Sequence, residues 1–515
     1  MDAARSLRSP VLSLGWLSAL ALVVRLWGIS FGLPYIYSFD ESTSVGEALG
    51  LIRGTTEALS FANPPLYKYL LVGLFSAIVG PQRLAEVDLS LLYLIARAAS
   101  AVLGALTIVF VYAIARQLRG HWTGVTAAGL AAVTYLLVRE SHFGVNDALA
   151  TLCTTAAMAA CILVACRGTR GDYVVAGAGV GLAFAAKYQA AVVLVPLTLA
   201  HLLHGRRRQD GDWLLGLGVA ALTAVVAFPP LLTEGRRVVA DVYVFLMLPS
   251  RLGFDGLDPA GAYVYYVKTF GWGIGWPLLA VACFGIGRAV VQREWPLLVV
   301  ASLPVGLYLV MGSSHMYVAR FMLPGLPALI VVAAVVLNDL GRHAWPVAAI
   351  VGCLVVAGTL PTTVRFDALM GRVDTRTQAR TWIQANVPAG ARVAAEGPAI
   401  GPPLDNLSLD LVSPPGHAVY DVTLDEYRAQ GVEYVVTSSY SAEAPNLDPA
   451  RDAQRRDFYA SLQRTAERIA DFQPYRGTEP DFVYDRVYAP FDSLDHFEQP
   501  GPTISVYRLT AAASP

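Results

Sequence analysis

The chain has 515 residues, of which 55% are hydrophobic and 15% charged, and its mean hydropathy is +0.50. That balance excludes a soluble globular protein of this length and makes lipid the solvent for most of the chain. The formal net charge of -1 removes any global electrostatic case for nucleic acid, so an anion must be bound locally.

Taken in order, the chain opens with Arg5 and Arg8 before an apolar run from Val11 to Pro34. The run is too long for the apolar region of a signal peptide and is followed by many more, so it reads as an uncleaved first helix. A long polar stretch, residues 34–91, follows as a first external loop. Within it, Leu66 to Gly80 spans only about 22 Å at a rise of about 1.5 Å per residue, against a hydrocarbon core of about 30 Å. It is therefore expected to be interfacial or re-entrant. Further spans are predicted near 92–115, 123–138, 146–166, 172–186, 188–205, 213–233, 273–291, 295–312, 321–339 and 344–364. With the N-terminus inside, the short inner connections carry Arg116 and Arg119, Arg167 and Arg170, Arg206 to Arg208, Arg288 and Arg293, and Arg342, as the positive-inside rule requires.

At Arg365 the composition turns polar. Thr377 to Asn386 places Ala379, Trp382 and Ile383 at helical spacing before Pro388 and Gly390, while Val432 to Thr437 and Thr503 to Leu509 read as strands. None of the cysteines (Cys153, Cys161, Cys166, Cys283, Cys353) falls in 365–515, which excludes a disulfide framework or a thiolate metal site there. The predicted fold class is a polytopic α-helical membrane protein of about eleven transmembrane helices in residues 1–364, followed by a small soluble α/β domain in 365–515 on the external side.

Candidate chemistry begins just beyond the first helix, at Asp40-Glu41. Helical neighbours point about 100° apart, so the two carboxylates are poorly placed to act as a glycosidase acid and base on one bond. One base plus one binding carboxylate suits them better, and by residue type alone the pair reads equally well as acids opening a helix with Ser42, Thr43 and Ser44. Further on stands Phe61-Ala62-Asn63-Pro64-Pro65-Leu66-Tyr67-Lys68-Tyr69, which by itself also describes an aromatic and basic membrane anchor.

The Asp-Glu pair, the Asn-Pro-Pro-Leu-x-Lys segment about twenty residues later, and Arg97-Ala98-Ala99-Ser100-Ala101-Val102-Leu103-Gly104 running into Tyr112-Ala113-Ile114-Ala115-Arg116 together resemble the protein O-mannosyltransferase and aminoarabinose transferase families. These belong to the glycosyltransferase C superfamily of polyprenyl-phosphate-sugar-dependent enzymes. Ser141-His142-Phe143-Gly144-Val145-Asn146-Asp147, Lys187-Tyr188 and Ala319-Arg320-Phe321-Met322-Leu323-Pro324-Gly325 add to the resemblance. It implies transfer of a sugar from a polyprenyl-phosphate donor to a hydroxyl of a lipid, glycan or protein, outside the membrane and with inversion. Asp40 matches the family's base. Glu41 and Asp147 would then hold acceptor or sugar. The families carry His-Pro-Pro or Lys-Pro-Pro where Asn63 stands here, with Lys68 displaced four residues on.

A departing phosphate needs positive charge, and Arg53, Lys68, Lys187, His315 and Arg320 are the candidates on the external side. Lys187, between two apolar runs, reads either as a phosphate ligand or as a snorkelling residue, and His315 reads as a loop residue or a ligand. No cofactor is expected to be essential, although Asp40 and Glu41 leave room for a divalent cation. A transporter or lipid flippase is the alternative function, against which stand the absence of matching broken halves and the carboxylate-bearing loop.

Overall fold

A computed structural model describes residues 2–509 except 56–58, 85, 204–209, 259, 398 and 415–417, and omits the side chains of 2–11 and 210. The inner arginines predicted at 206–208 lie outside the described residues. The chain divides into two compact units, one of residues 1–29, 43–251 and 260–364, the other of residues 30–42, 252–259 and 365–515.

The first unit is helical and apolar. Among the described residues, five helical stretches, starting at Leu89, Asp147, Trp295, Ala319 and Trp345, are long and apolar enough to cross a membrane, and two bent helix pairs raise the number to seven. Shorter apolar helices accompany them at Leu12–Leu26, Leu66–Ile78, Tyr188–Leu203 and Gly211–Ala227. Large apolar side chains such as Trp16, Leu222, Phe284, Val291 and Ile350 stand exposed, as they do in a protein whose surface faces lipid. The chain is a multi-pass membrane protein.

Several predicted spans are broken. The first helix, Asp2–Leu26, stops short of residue 33, and Gly28 and Gly32 take positive φ in the turns that follow. The run 123–138 bends by 61° between His121–Val133 and Tyr135–His142. Thr134 is extended there, and the freed amide of Tyr135 donates to Thr359 Oγ1 at 3.0 Å. A polar side chain from a distant turn, between helices Trp345–Ala357 and Leu360–Met370, thus satisfies a backbone group that lipid cannot. The span placed at 273–291 begins instead as two helices, Gly261–Ile274 and Trp276–Gln292, bent by 113°. Gly275 sits between them at φ 84°, and a Cβ there would lie 2.6 Å from the Gly358 carbonyl oxygen, so both conformation and close approach require glycine. The run 188–205 starts as a 3-10 turn, Tyr188–Val193, before Leu194–Leu203.

In the second unit, a mixed sheet carries strands β1 (Arg392–Ala395), β2 (Asp410–Val412), β3 (Tyr434–Ser438), β4 (Ala466–Phe472) and β5 (Ile504–Leu509) in the order β2-β1-β3-β5-β4. β1 runs parallel to β2 and β3, whereas β5 is antiparallel to β3 and β4, with Val435 opposite Tyr507 and Val436 opposite Val506. Strand alternation splits the apolar residues between two faces. Val435, Tyr507 and Leu509 pack with Phe458 and Leu462 of helix Pro449–Thr465, while Val436, Ile504 and Val506 pack with Ala379 and Ile383 of helix Thr375–Asn386. Asp374 caps the latter helix, accepting from the Arg376 amide at 2.9 Å, and the helix ends before Pro388.

Glu396 is among the buried carboxyls of this unit. Glu396 accepts from Tyr459 Oη at 2.8 Å, Ser441 Oγ at 3.1 Å and the Val419 amide at 3.2 Å. Burial outweighs these bonds and pushes its pKa up to about 7. Because the folded value lies above the unfolded one, its stabilisation is complete below the unfolded pKa and lost as pH rises through about 7. The stability advantage of the wild type over Glu396→Gln should therefore fall by about 3 kcal/mol between pH 5 and pH 8. Thermal unfolding of the full chain at the two pH values, followed by near-ultraviolet dichroism, checks this.

Candidate functional site

In the first unit the Phe61–Tyr69 segment gathers partners from far along the chain. Pro64 and Pro65 lack amide donors and lead directly into helix Leu66–Ile78. This places Lys68 in the first turn, where it is buried, forms an ion pair with Glu47, and donates to the Ser60 carbonyl at 2.7 Å. Tyr67 Oη donates to the Ala96 carbonyl at 2.8 Å and thereby ties the segment to helix Leu89–Arg119.

Asn63 makes the connection to the other motif segments. Its Oδ1 accepts from Asn146 Nδ2 at 3.2 Å, and the same amide group donates to the Ala186 carbonyl at 2.9 Å. The next residue in each partner segment is charged. Asp147, opening helix Asp147–Cys166, and Lys187, in extended backbone after helix Arg170–Ala186, form a buried ion pair. Lys187 Nζ also stands 5.3 Å from the ring centroid of Phe321, which brings in the 3-10 turn Ala319–Gly325 that carries Arg320. Tyr188 Oη donates to the Phe61 carbonyl at 2.9 Å, and the Phe61 amide donates to Asp241 Oδ2 at 2.8 Å. Arg237 closes the group, donating to the Leu59 carbonyl at 2.6 Å with its guanidinium 5.3 Å from the Phe61 ring.

Two lysines are thus held out of water, each with one carboxylate. A charge buried without a partner would cost several kcal/mol, so these pairs are what allow cations to stay in place without ligand. An arriving phosphate can share such a lysine by displacing part of its carboxylate contact. Snorkelling of Lys187 is excluded as an account of its position, since its side chain turns inward to Asp147.

Asp40 and Glu41 belong to the second unit's stretch of residues 30–42 and occupy the first turn of helix Phe39–Ile52. They are therefore helix residues rather than loop residues, at the end of the helix where free amide groups favour negative charge. Glu41 is fully buried and Asp40 half-buried. Helical periodicity places Asp40 and Glu47, seven residues apart, on one side of that helix.

Two further candidates are exposed. Arg53 lies exposed in the turn after helix Phe39–Ile52. His315 is exposed on a loop whose amide donates to the Ser250 carbonyl at 2.8 Å, with its Nδ1 3.3 Å from the same oxygen. Glu47, Asn146, Tyr188, Arg237 and Asp241 were given no role by the sequence. Asn146 and Tyr188 lie inside motif segments the sequence singled out, but neither the Glu47–Lys68 pair nor the contacts of Arg237 and Asp241 with Leu59 and Phe61, 178 and 180 positions away, leaves a local pattern. Among the described residues, no group of three or more His, Cys, Asp or Glu is placed to hold a metal ion.

Residues 63–232 match the family model described as dolichyl-phosphate-mannose-protein mannosyltransferase. No curated protein matches the chain by sequence. Among solved structures, the chain is similar to ArnT from Cupriavidus metallidurans bound to undecaprenyl phosphate, at 17% identity and TM-score 0.53, covering 97% of this chain and 99% of that one. It is also similar to the oligosaccharyltransferase of Archaeoglobus fulgidus in the apo form, at 13% identity and TM-score 0.55, covering 84% of this chain and 70% of that one. The latter enzyme, AglB, has also been solved with an inhibitory peptide and a dolichol-phosphate, and with Zn and sulfate. The chain is thus a multi-pass membrane protein that shares its fold with ArnT and with the Archaeoglobus fulgidus oligosaccharyltransferase, carrying over residues 63–232 a match to the dolichyl-phosphate-mannose-protein mannosyltransferase family model.

Proposed function

We propose that the chain is an inverting glycosyltransferase that moves a sugar from a polyprenyl-phosphate donor to an acceptor hydroxyl on the external face of the membrane. The observation that carries this reading is the convergence of four sequence-distant motif segments, Asn63 to Lys68, Asn146-Asp147, Lys187-Tyr188 and Arg320-Phe321, around two buried lysines. The undecaprenyl phosphate bound by ArnT and the dolichol-phosphate bound by AglB are donors' carrier lipids of the required chemistry.

In the proposed step, Asp40 takes the proton of the acceptor hydroxyl as its oxygen attacks the anomeric carbon. The bond from that carbon to the phosphate oxygen breaks on the opposite face, and the electron pair leaves with the polyprenyl phosphate. No acid is needed, because the phosphate is already a good leaving group; Lys68 and Lys187 offset the charge it gains. Glu41, Asp147 and Arg320 are assigned to holding sugar or acceptor, and Arg53 and His315, both exposed, to the outer approach. A divalent cation at Asp40 or Glu41 takes no part in this scheme. The proposed topology keeps about eleven spans, the N-terminus inside, and residues 365–515 outside.

The test is the anomeric configuration of the product. Incubation with a panel of undecaprenyl- and dolichyl-phosphate sugars and a cell-envelope extract should yield a glycoside whose anomeric proton coupling is inverted relative to the donor. A product with retained configuration overturns the single-displacement scheme.

A further inference from the structure

Residues 30–42 and 365–515 fold into one compact unit, although more than three hundred residues separate them in sequence. The contact is specific. The Tyr37 ring lies under the Arg376 guanidinium at 3.8 Å, and its hydroxyl shares a hydrogen bond with Thr377 Oγ1 at 2.6 Å. Tyr37 is 4% exposed, so the ring is enclosed rather than resting on a surface. Arg376 is itself fixed from behind. Its Nε and Nη2 donate to the two oxygens of Asp374 at 2.8 and 2.7 Å, and its Nη1 donates to the Ala399 carbonyl. Asp374 in turn caps the helix that carries both Arg376 and Thr377, so the stack is built on a helix start and not on a free side chain. Two residues before Tyr37, Tyr35 lies 5.1 Å from the Arg380 guanidinium, one helical turn further along.

From Tyr37 to Asp40 there is no slack. Ser38 is buried, the helix begins at Phe39, and Ser42 closes its first turn through its amide to the Ser38 carbonyl at 3.2 Å and its Oγ to the Phe39 carbonyl at 2.7 Å. A displacement of the backbone at Tyr37 is passed through Ser38 to the first turn of that helix.

We infer that the C-terminal domain is a positioning device for the base: Arg376 and Thr377 hold Tyr37, and Tyr37 sets where the Asp40 carboxylate stands. The inference rests on the reading of Asp40 as base and gives the polar third of the chain a role in the same reaction. Tyr37 and Arg376 are positioning residues and do not touch substrate. A misplacement of a catalytic group by about 1 Å costs on the order of 100-fold in rate, which sets the effect to look for.

The test uses the full chain in lipid nanodiscs, with Tyr37→Leu, Tyr37→Phe, Arg376→Lys and Asp40→Asn beside the wild type. Two readouts are taken: amide exchange of peptides covering residues 38–44, and transfer from whichever undecaprenyl-phosphate sugar the wild type consumes. Tyr37→Leu should speed exchange over 38–44 at least about tenfold and lower kcat about 100-fold. The donor KM should stay within about twofold, because no donor contact is removed. Tyr37→Phe keeps the ring stack but loses the hydrogen bond to Thr377 and should fall between wild type and Tyr37→Leu in both readouts, and Arg376→Lys, which loses the planar stack but keeps the charge, should behave as Tyr37→Leu does. Exchange in β3 and β5 reports that the domain is folded, and Arg376→Lys serves where Tyr37→Leu disturbs it. Wild-type exchange or wild-type kcat in both Tyr37→Leu and Arg376→Lys, with Asp40→Asn inactive, overturns the positioning role and leaves the base assignment standing. An active Asp40→Asn removes the base assignment, and the positioning role with it.

Discussion

Asp40→Asn should lower sugar transfer by about 1000-fold, the loss expected when a general base is replaced by a group of equal size that takes no proton. The variant should remain folded. Asp40 is half-buried in the first turn of helix Phe39–Ile52, and asparagine is well tolerated at helix starts. Donor KM should change little, since the base acts on the acceptor oxygen and its contribution is made in the transition state. Initial rates at saturating donor, with the melting temperature measured in parallel, separate lost chemistry from lost fold. A variant that transfers at more than about a tenth of the wild-type rate removes Asp40 from the role of base.

The Asp147–Lys187 pair carries the second large effect, and its two functions come apart in a double mutant. Lys187→Met leaves Asp147 buried without its partner and should destabilise the chain by about 3–5 kcal/mol, while the pair Asp147→Asn with Lys187→Met should recover most of that, because two neutral groups need no mutual compensation. If Lys187 also receives the phosphate, transfer stays lost in the stable double variant, with the donor KM raised. Recovery of both stability and transfer would make the pair structural and leave Lys68 as the phosphate's cation. Melting temperature and donor kinetics on the two variants beside the wild type decide between these.

What the sequence disclosed, and what it withheld, follow from the range of the forces involved. The strands and the amphipathic helix of the tail are local patterns, and they were legible to within a few residues: the strand read at 503–509 is Ile504–Leu509, and the helix read at 377–386 is Thr375–Asn386. The breaks were not. Thr134 turns a helix because Thr359 stands ready to take the amide of Tyr135, and Gly275 turns another against the backbone of Gly358. Both depend on residues far along the chain. The helices Gly235–Val242 and Gly261–Ile274 were missed for a different reason, since their mixed polar and apolar residues break the continuous runs that mark spans.

The site shows the same division. Lys68 and Asp147 drew attention through the motif segments they stand in, and Lys187 because a charge between two apolar runs is costly. The tertiary contacts were not legible, because nothing at Glu47 or Asn146 announces a pairing with Lys68 or Asn63. Nor could residues 30–42 be assigned to the C-terminal unit from sequence, as the Tyr37 and Arg376 stack joins two stretches that are individually ordinary.

The central claim is that the bond between sugar and lipid phosphate is broken by this chain. The most direct test places donors labelled in both sugar and phosphate in vesicles containing the purified protein and a cell-envelope extract, and follows the two labels separately. The account predicts that the sugar label leaves the lipid and enters an acceptor, that unglycosylated polyprenyl phosphate accumulates in equal amount, and that neither occurs with Asp40→Asn. Movement of the doubly labelled lipid from one leaflet to the other, with the two labels still joined, would contradict the account and make the chain a lipid transporter.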